Sequence, residues 1–300
     1  MDERDLLAER FEEHRTHLKA VAYRMLGSLA EADDAVQEAW LRLARTDGDD
    51  IGNLGGWLTT VVGRVCLDML RTRRMRGETP LEARLPDPVV GEEFLGAERQ
   101  DPERQAMLAD SVGLALLVVL ESLNPAERLA FVLHDMFGMP FEEIAPIVDR
   151  TPAAARKLAS RARQRVQGSA PAPDPDPVAR RRVVDAFLSA AHGGDIEGLL
   201  AVLDPDVVLR ADAGTLLPGG MRVVRGAREV AGQAPTFRRM ATASVSRPAL
   251  VNGAAGLVNT IDGELISIMS FTISEQKIVA IDILSDPERL ARIDLAALDG

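Results

Sequence analysis

The sequence predicts a multidomain chain, two all-α helical domains followed by an α+β domain. Three observations carry this. Residues 1–77, and again 103–167, space their apolar residues as helices do. A Pro-rich spacer, GSAPAPDPDP at 168–177, then breaks the pattern. Beyond it, two amphipathic helices are followed by a series of strand-like segments.

A chain of 300 residues accommodates two or three domains. With 46% hydrophobic and 27% charged residues, it has the composition of an ordinary soluble globular protein. No apolar run is long enough to span a membrane, and Leu114–Leu120 falls far short. The start, MDERDLLAERFEEH, is acidic and amphipathic, unlike a signal peptide. Cys66 stands alone, and no Cys/His spacing suits zinc, so neither disulfide, metal nor cofactor is expected. The cytoplasm is the expected compartment. The formal net charge is −11, and residues 78–123 hold ten acidic against three basic residues. No segment has the basic balance of a protein that grips DNA alone. A role on DNA therefore calls for a partner.

In chain order, Phe11–Leu26 reads as a helix with Leu18, Val21, Ala22, Met25 and Leu26 apolar, broken by Gly27 and Ser28. Leu29–Leu43 reads as a second, with Ala32, Val36, Ala39, Trp40 and Leu43 as its stripe. Its opposite face carries Asp34, Gln37, Glu38, Leu41 and Arg42. An exposed leucine among polar groups can mark a partner surface, although single exposed apolar residues are common. After a loop at Asp47–Gly56, a helix beginning near Trp57 ends in Arg71, Arg73, Arg74 and Arg76. One or two of these complement the helix dipole. All four together suit a phosphate-contacting edge.

The strongest local signal lies between Pro140 and Val166. Phe141–Val148 reads as a short helix, Asp149 and Arg150 as a turn, Thr151 as an N-cap and Pro152 as the first residue of a second helix. On that helix Ala155, Leu158, Ala159, Ala162 and Val166 share one arc, and Arg156, Lys157, Ser160, Arg161, Arg163 and Gln164 cover the rest. No acidic residue occurs from Thr151 to Gln167. A small-residue packing face with a basic outer face describes a major-groove recognition helix. It also describes a surface helix whose basic face is merely solvated.

After the spacer, Val178–His192 and Asp195–Leu203 read as helices. Val207–Ala211, Arg222–Val224, Ala255–Thr260, Leu265–Ile273 and Ile278–Ile283 read as strands, and a last helix follows Asp286-Pro287. Asp212 stands at a strand end that could face a cavity. Asp262 and Asp282 read as turn or surface groups, and His192 as a helix-end residue.

AEADDAVQEAWLRL and GWLTTVVGRVCLDMLR resemble region 2 of bacterial extracytoplasmic-function (ECF) RNA polymerase sigma factors. LNPAERLAFVLHDMFGMPFEEIAPIVDRTPAAARKLASRARQRV resembles their region 4. The resemblance implies region 2 at 1–77, an acidic linker at 78–102, region 4 at 103–167, a spacer at 168–177 and a further domain at 178–300. It implies core RNA polymerase as partner, docked on Asp34, Gln37, Glu38, Leu41 and Arg42. Promoter DNA would be met at the −10 element near Asn53, with Trp57 as base pocket or core. The edge at Arg71, Arg73, Arg74 and Arg76 would hold phosphates. Arg156, Lys157, Ser160, Arg161 and Arg163 would serve the −35 element. In this family the acidic linker threads the channel later used by nascent RNA, and it otherwise reads as a solvated, disordered segment.

VVDAFLSAAHGGDIEGLLAVLDPDVVLRAD resembles a SnoaL-like domain, a cone-shaped α+β barrel related to ketosteroid isomerase. Such a fold often holds a small ligand. Leu85-Pro86-Asp87-Pro88 is similar to a Leu-Pro-Glu-Pro motif of sigma factors with this tail, with Arg84 where those carry tryptophan. Two tail motifs of those proteins, Asp-Gly-Gly-Gly-Lys and Asn-Pro-Asp-Lys-Leu, are associated with regulation. Asp212-Ala213-Gly214-Thr215 departs from the first, and Asp286-Pro287-Glu288-Arg289-Leu290 is closer to the second. Asp212, Asp286, Pro287 and Leu290 are therefore regulatory candidates. The implied function is transcription initiation, without catalysis. The alternatives are an isomerase- or cyclase-type enzyme with a DNA-binding front and an ordinary helix-turn-helix repressor. Neither has a use for the Leu41 face or the arginine edge.

Overall fold

In the computed structural model, residues 3–46, 51–75, 84–91, 113–169, 174 and 176–293 are described. The chain divides into two compact units, one of 1–80 with 119–169 and one of 81–118 with 170–300. The first unit thus holds the span expected for region 2 and residues 119–167 of that expected for region 4, while 103–118 falls in the second unit.

The first unit opens with α1 (Glu3–Leu26), α2 (Leu29–Leu43) and α3 (Leu54–Met75). α1 starts well before Phe11 because ERDLLAER contains good helix formers and no breaker. Leu18, Val21, Ala22, Met25 and Leu26 are buried, and Gly27 ends the helix at φ +69. α2 has the expected bounds, and its Trp40 ring lies 5.1 Å from that of Phe11. α3 begins at Leu54 rather than near Trp57, because Asn53 caps it. The Asn53 Oδ1 accepts from the Gly56 N–H at 3.1 Å.

α4 (Leu114–Glu121), α5 (Pro125–Phe131), a π-turn (Val132–Met136), α6 (Phe141–Ile144) and α7 (Pro152–Ser169) follow. The expected helix to Val148 stops at Ile144 and continues as irregular turns. Pro146 is the reason. It has no N–H, and its ring crowds the carbonyl one turn back. Arg128 ties the two halves of this unit together. It is 2% exposed, donates through Nε and Nη2 to the Arg24 carbonyl at 3.1 and 2.9 Å, and pairs with Glu121 at 2.8 Å. Gly63 on α3 faces Leu129, Leu133 and Ile147, where it allows close approach.

The second unit contains α8 (Pro177–Gly193), α9 (Ile196–Val202) and strands β1 (Val90–Gly91), β2 (Leu203–Asp212), β3 (Met221–Arg225), β4 (Val245–Val251), β5 (Ala254–Ile261), β6 (Glu264–Ser274) and β7 (Lys277–Leu284). They form one seven-stranded sheet in the order β1-β4-β5-β6-β7-β2-β3. β2 and β7 are parallel, and the other pairs are antiparallel. α10 (Ala227–Ala231), α11 (Ala234–Ala243) and α12 (Pro287–Leu290) complete the unit. The helix-then-sheet order is that expected of a SnoaL-like domain.

Strand alternation divides the sheet's apolar residues between two clusters. Leu209, Leu257, Phe271 and Ile281 join Val184, Phe187 and Leu199 of the helices. Val258, Ile268 and Leu284 join Val90, Val251 and Leu290. Phe187 centres an aromatic group in the first cluster, 5.5 Å from Phe237 and 5.3 Å from Phe271.

Sequence periodicity misses α10, α11 and β4. α10 spans only five residues, too few to show a period, Pro235 at the start of α11 reads as a breaker, and Pro248 argues against a strand. Pro248 is tolerated because β1 covers β4 only at Leu250 and Val251. Asp282, expected at a turn or surface, is 1% exposed in mid-strand and bonded to Arg210 at 2.8 Å, its register partner on β2. Burial pushes its carboxyl above the usual carboxylate range, against the Arg210 charge.

The described part of the acidic connector is also largely buried rather than solvated. Leu85, Val89 and Val90 are buried, and Val90 pairs with Val251. The Asn252 N–H donates to the Val89 carbonyl at 2.8 Å, and Val89 N–H donates to Asn252 Oδ1 at 3.1 Å. The apolar residues within the acidic stretch supply the driving force. Among the described residues, no helix is long and apolar enough to cross a membrane.

Removing Arg128 leaves the buried Glu121 carboxylate without its cation. Arg128→Ala is expected to cost about 3–5 kcal/mol in urea unfolding followed by circular dichroism. Arg15→Ala, which removes an exposed partner of Glu12, should cost under about 1 kcal/mol.

Candidate functional site

The candidate recognition element is built from α6, the turn after it and α7. Asp149 adopts φ +55, which reverses the chain. Thr151 Oγ1 then accepts from the Ala154 N–H at 3.3 Å and caps α7. Ala155, Ala159 and Ala162 are wholly buried, so small side chains let α7 lie close to the helices beneath it. Arg156, Lys157, Ser160 and Arg161 are exposed on the outer face.

Arg163 is placed differently. Its Nε and Nη2 donate to Asp135 Oδ1 at 2.7 and 2.5 Å, and it is half-buried. Arg165 pairs with Glu127 at 2.7 Å. Thus the acid-free sequence of α7 receives carboxylates from α5 and the π-turn.

On α2, Asp34, Gln37 and Leu41 are exposed, Leu41 by 41%. Glu38 and Arg42 are half-buried and paired at 2.9 Å. Asn53 is exposed, with its side chain engaged as the α3 cap, and Trp57 is half-buried. At the arginine edge, Arg71 lies 3.8 Å from Asp68 and Arg73 pairs with Glu31. Arg74 is exposed, and Arg76 lies outside the described residues.

In the second unit the tail candidates converge on the connector. Asp212 ends β2 and is 2% exposed. Its Oδ2 accepts from the Leu85 N–H at 2.8 Å and from Arg289 Nη1 at 2.6 Å, and its Oδ1 accepts from the Gly214 N–H at 3.2 Å. Arg289, on α12 and 6% exposed, also donates to the Leu85 carbonyl at 2.6 Å and to Asp87 Oδ1 at 2.9 Å.

Asp286 caps α12 by accepting from the Glu288 N–H at 3.0 Å, with Pro287 as the first helical residue. Leu290 is buried with Val90 in the outer cluster. Gly214 adopts φ +53, and a side chain there would collide with the Asp286 carboxylate. Asp212, a regulatory candidate, therefore spends both oxygens on structural contacts. The central cation, Arg289, and its second carboxylate, Asp87, were not singled out from sequence. Their signal was a basic residue in one motif and an acidic residue in the other.

Arg289→Ala leaves Asp212 buried without a cation. Loss of one partner of a buried pair costs several kcal/mol, so the Asn252 amide should exchange at least about tenfold faster. Hydrogen exchange read by NMR or mass spectrometry checks this. Arg289→Lys should fall between, because an ammonium cannot reproduce the guanidinium fork.

The family description Sigma-70 region 2 matches residues 10–76, and Sigma-70 region 4 matches 113–166. The ECF RNA polymerase sigma factor SigJ of Mycobacterium tuberculosis is 44% identical over 222 residues, 73% of this chain and 69% of that one. The probable ECF RNA polymerase sigma factor SigI of the same species is 35% identical over 296 residues, 97% of either chain. The crystal structure of M. tuberculosis SigJ superposes with a TM-score of 0.75 at 36% identity, over 96% of this chain and 99% of that one. With both sigma regions in order and full-length relatives of the same architecture, this chain belongs to the ECF RNA polymerase sigma factors.

Proposed function

We propose that this sigma factor engages core RNA polymerase through the Leu41 face of α2 and reads the upstream promoter element with Arg156, Lys157, Ser160 and Arg161. Its third domain sets the freedom of the connector. The observation that carries the regulatory part is the Arg289 clamp on Asp212, Asp87 and the Leu85 carbonyl. The connector joins region 2 to region 4, and its middle is held as a strand on the third domain's sheet. A held connector limits how the two regions can separate to meet polymerase and DNA. Asp212, Asp286, Pro287 and Leu290 act through this clamp rather than through chemistry. The full engagement of Asp212 supports a structural role for that carboxylate over a catalytic one. Work on promoters with polymerase is cytoplasmic.

Two measurements test this. Leu41→Glu should weaken co-purification with core polymerase while leaving the fold intact, because that side chain is already exposed. Unchanged polymerase binding by the folded variant would remove this face from the interface. In run-off transcription, Arg289→Ala and a chain ending at Gly168 should shift activity in the same direction, since both free the connector. Activity equal to wild type for both, across a range of polymerase concentrations, would make the third domain a passenger.

A further inference from the structure

The helix before the recognition element does not end as an α-helix. α5 passes into the π-turn Val132–Met136, a feature that often marks functional sites. It delivers two consecutive side chains, His134 and Asp135, to the α6–α7 hairpin. Asp135 holds Arg163, as described.

His134 Nδ1 lies 3.0 Å from the Met139 carbonyl. A carbonyl only accepts, so Nδ1 carries the proton and the ring orientation is set. That ring stacks on Phe141 with centroids 3.8 Å apart and planes 29° apart. Phe141, nearly buried, in turn lies under the Arg156 guanidinium, which sits 5.3 Å from its ring centroid. Arg156 occupies the N-terminal part of α7, where recognition helices reach base edges.

We infer that the π-turn pre-sets the base-reading arginine. His134 orients Phe141, and Phe141 holds the Arg156 guanidinium in its reading posture before DNA arrives. A guanidinium already held loses less freedom on docking, and it presents its fork in one direction. His134 and Phe141 are thus positioning residues for promoter selection, although neither needs to touch DNA. The inference rests on the reading of Arg156 as a base contact.

The test uses the full chain with core polymerase in run-off transcription, on a set of promoters altered base by base in the upstream element. The readout is the ratio of transcript from the matched template to that from each altered one. Arg156→Ala should flatten that ratio at one or two positions. Phe141→Leu should lower it about two- to fivefold at the same positions, the worth of an exposed cation–π contact. Phe141→Tyr should keep it, because the ring face remains. His134→Gln, which can still donate to the Met139 carbonyl but has no ring, should lower it less than Phe141→Leu at those positions.

An equal loss on every template, or no change, with folded Phe141→Leu would overturn the inference while leaving Arg156 as a reader. If Phe141→Leu does not fold, His134→Gln decides by the same two outcomes. Discrimination unaffected by Arg156→Ala would instead overturn the base-reading role, and the positioning role with it.

Discussion

Arg289 carries a permanent charge into a place where almost no water reaches it, and the third domain is arranged to make that tolerable. Two carboxylates, Asp212 and Asp87, and the Leu85 carbonyl accept its donors. Neither carboxylate belongs to the helix that supplies the arginine. One closes β2, and the other arrives from the connector far upstream in the chain. Fork geometry joins three segments at one point, and an ammonium would reach fewer of them. The strand pairing of Val90 with Val251 and the burial of Leu85 and Leu290 then have a fixed anchor. A buried ion pair of this kind contributes less to net stability than to the choice of one arrangement.

The first unit uses the same device. Arg128, from α5, satisfies the Arg24 carbonyl at the end of α1 and pairs with Glu121. Such contacts are directional, and they break as discrete events rather than by gradual sliding. An extended apolar seam, by contrast, has no single point of release.

The candidate recognition helix, α7, shows how neighbours redistribute a charge pattern. Read alone, α7 is uniformly basic. In the fold, Asp135 and Glu127 take Arg163 and Arg165, and the outer face is left to Arg156, Lys157, Ser160 and Arg161. The carboxylates that do this lie on the preceding elements. They narrow a broad basic surface to a compact exposed basic face.

Much of this molecule was determined by the sequence alone. Helical spacing placed α2 closely, and the Thr151-Pro152 cap fixed the start of α7. Long motifs identified both sigma regions and their order. These features are local, since propensity, capping and periodicity act within a few turns.

What failed locally failed for identifiable reasons. Pro146 cut short a helix that periodicity extended, α10 is too short to show a period, and Pro235 reads as a breaker at the start of α11. Asp282 looked like a surface acid because its partner, Arg210, is distant in sequence and adjacent only through strand register. The docking of Leu85–Gly91 was invisible for the same reason. A two-residue strand has no periodicity, and its edge, its clamp and its apolar seat all come from residues beyond 200. Composition called that segment an acidic linker. Only the tertiary structure decided that it is a strand, because a charge partner and an open sheet edge exist only once the distant chain has folded.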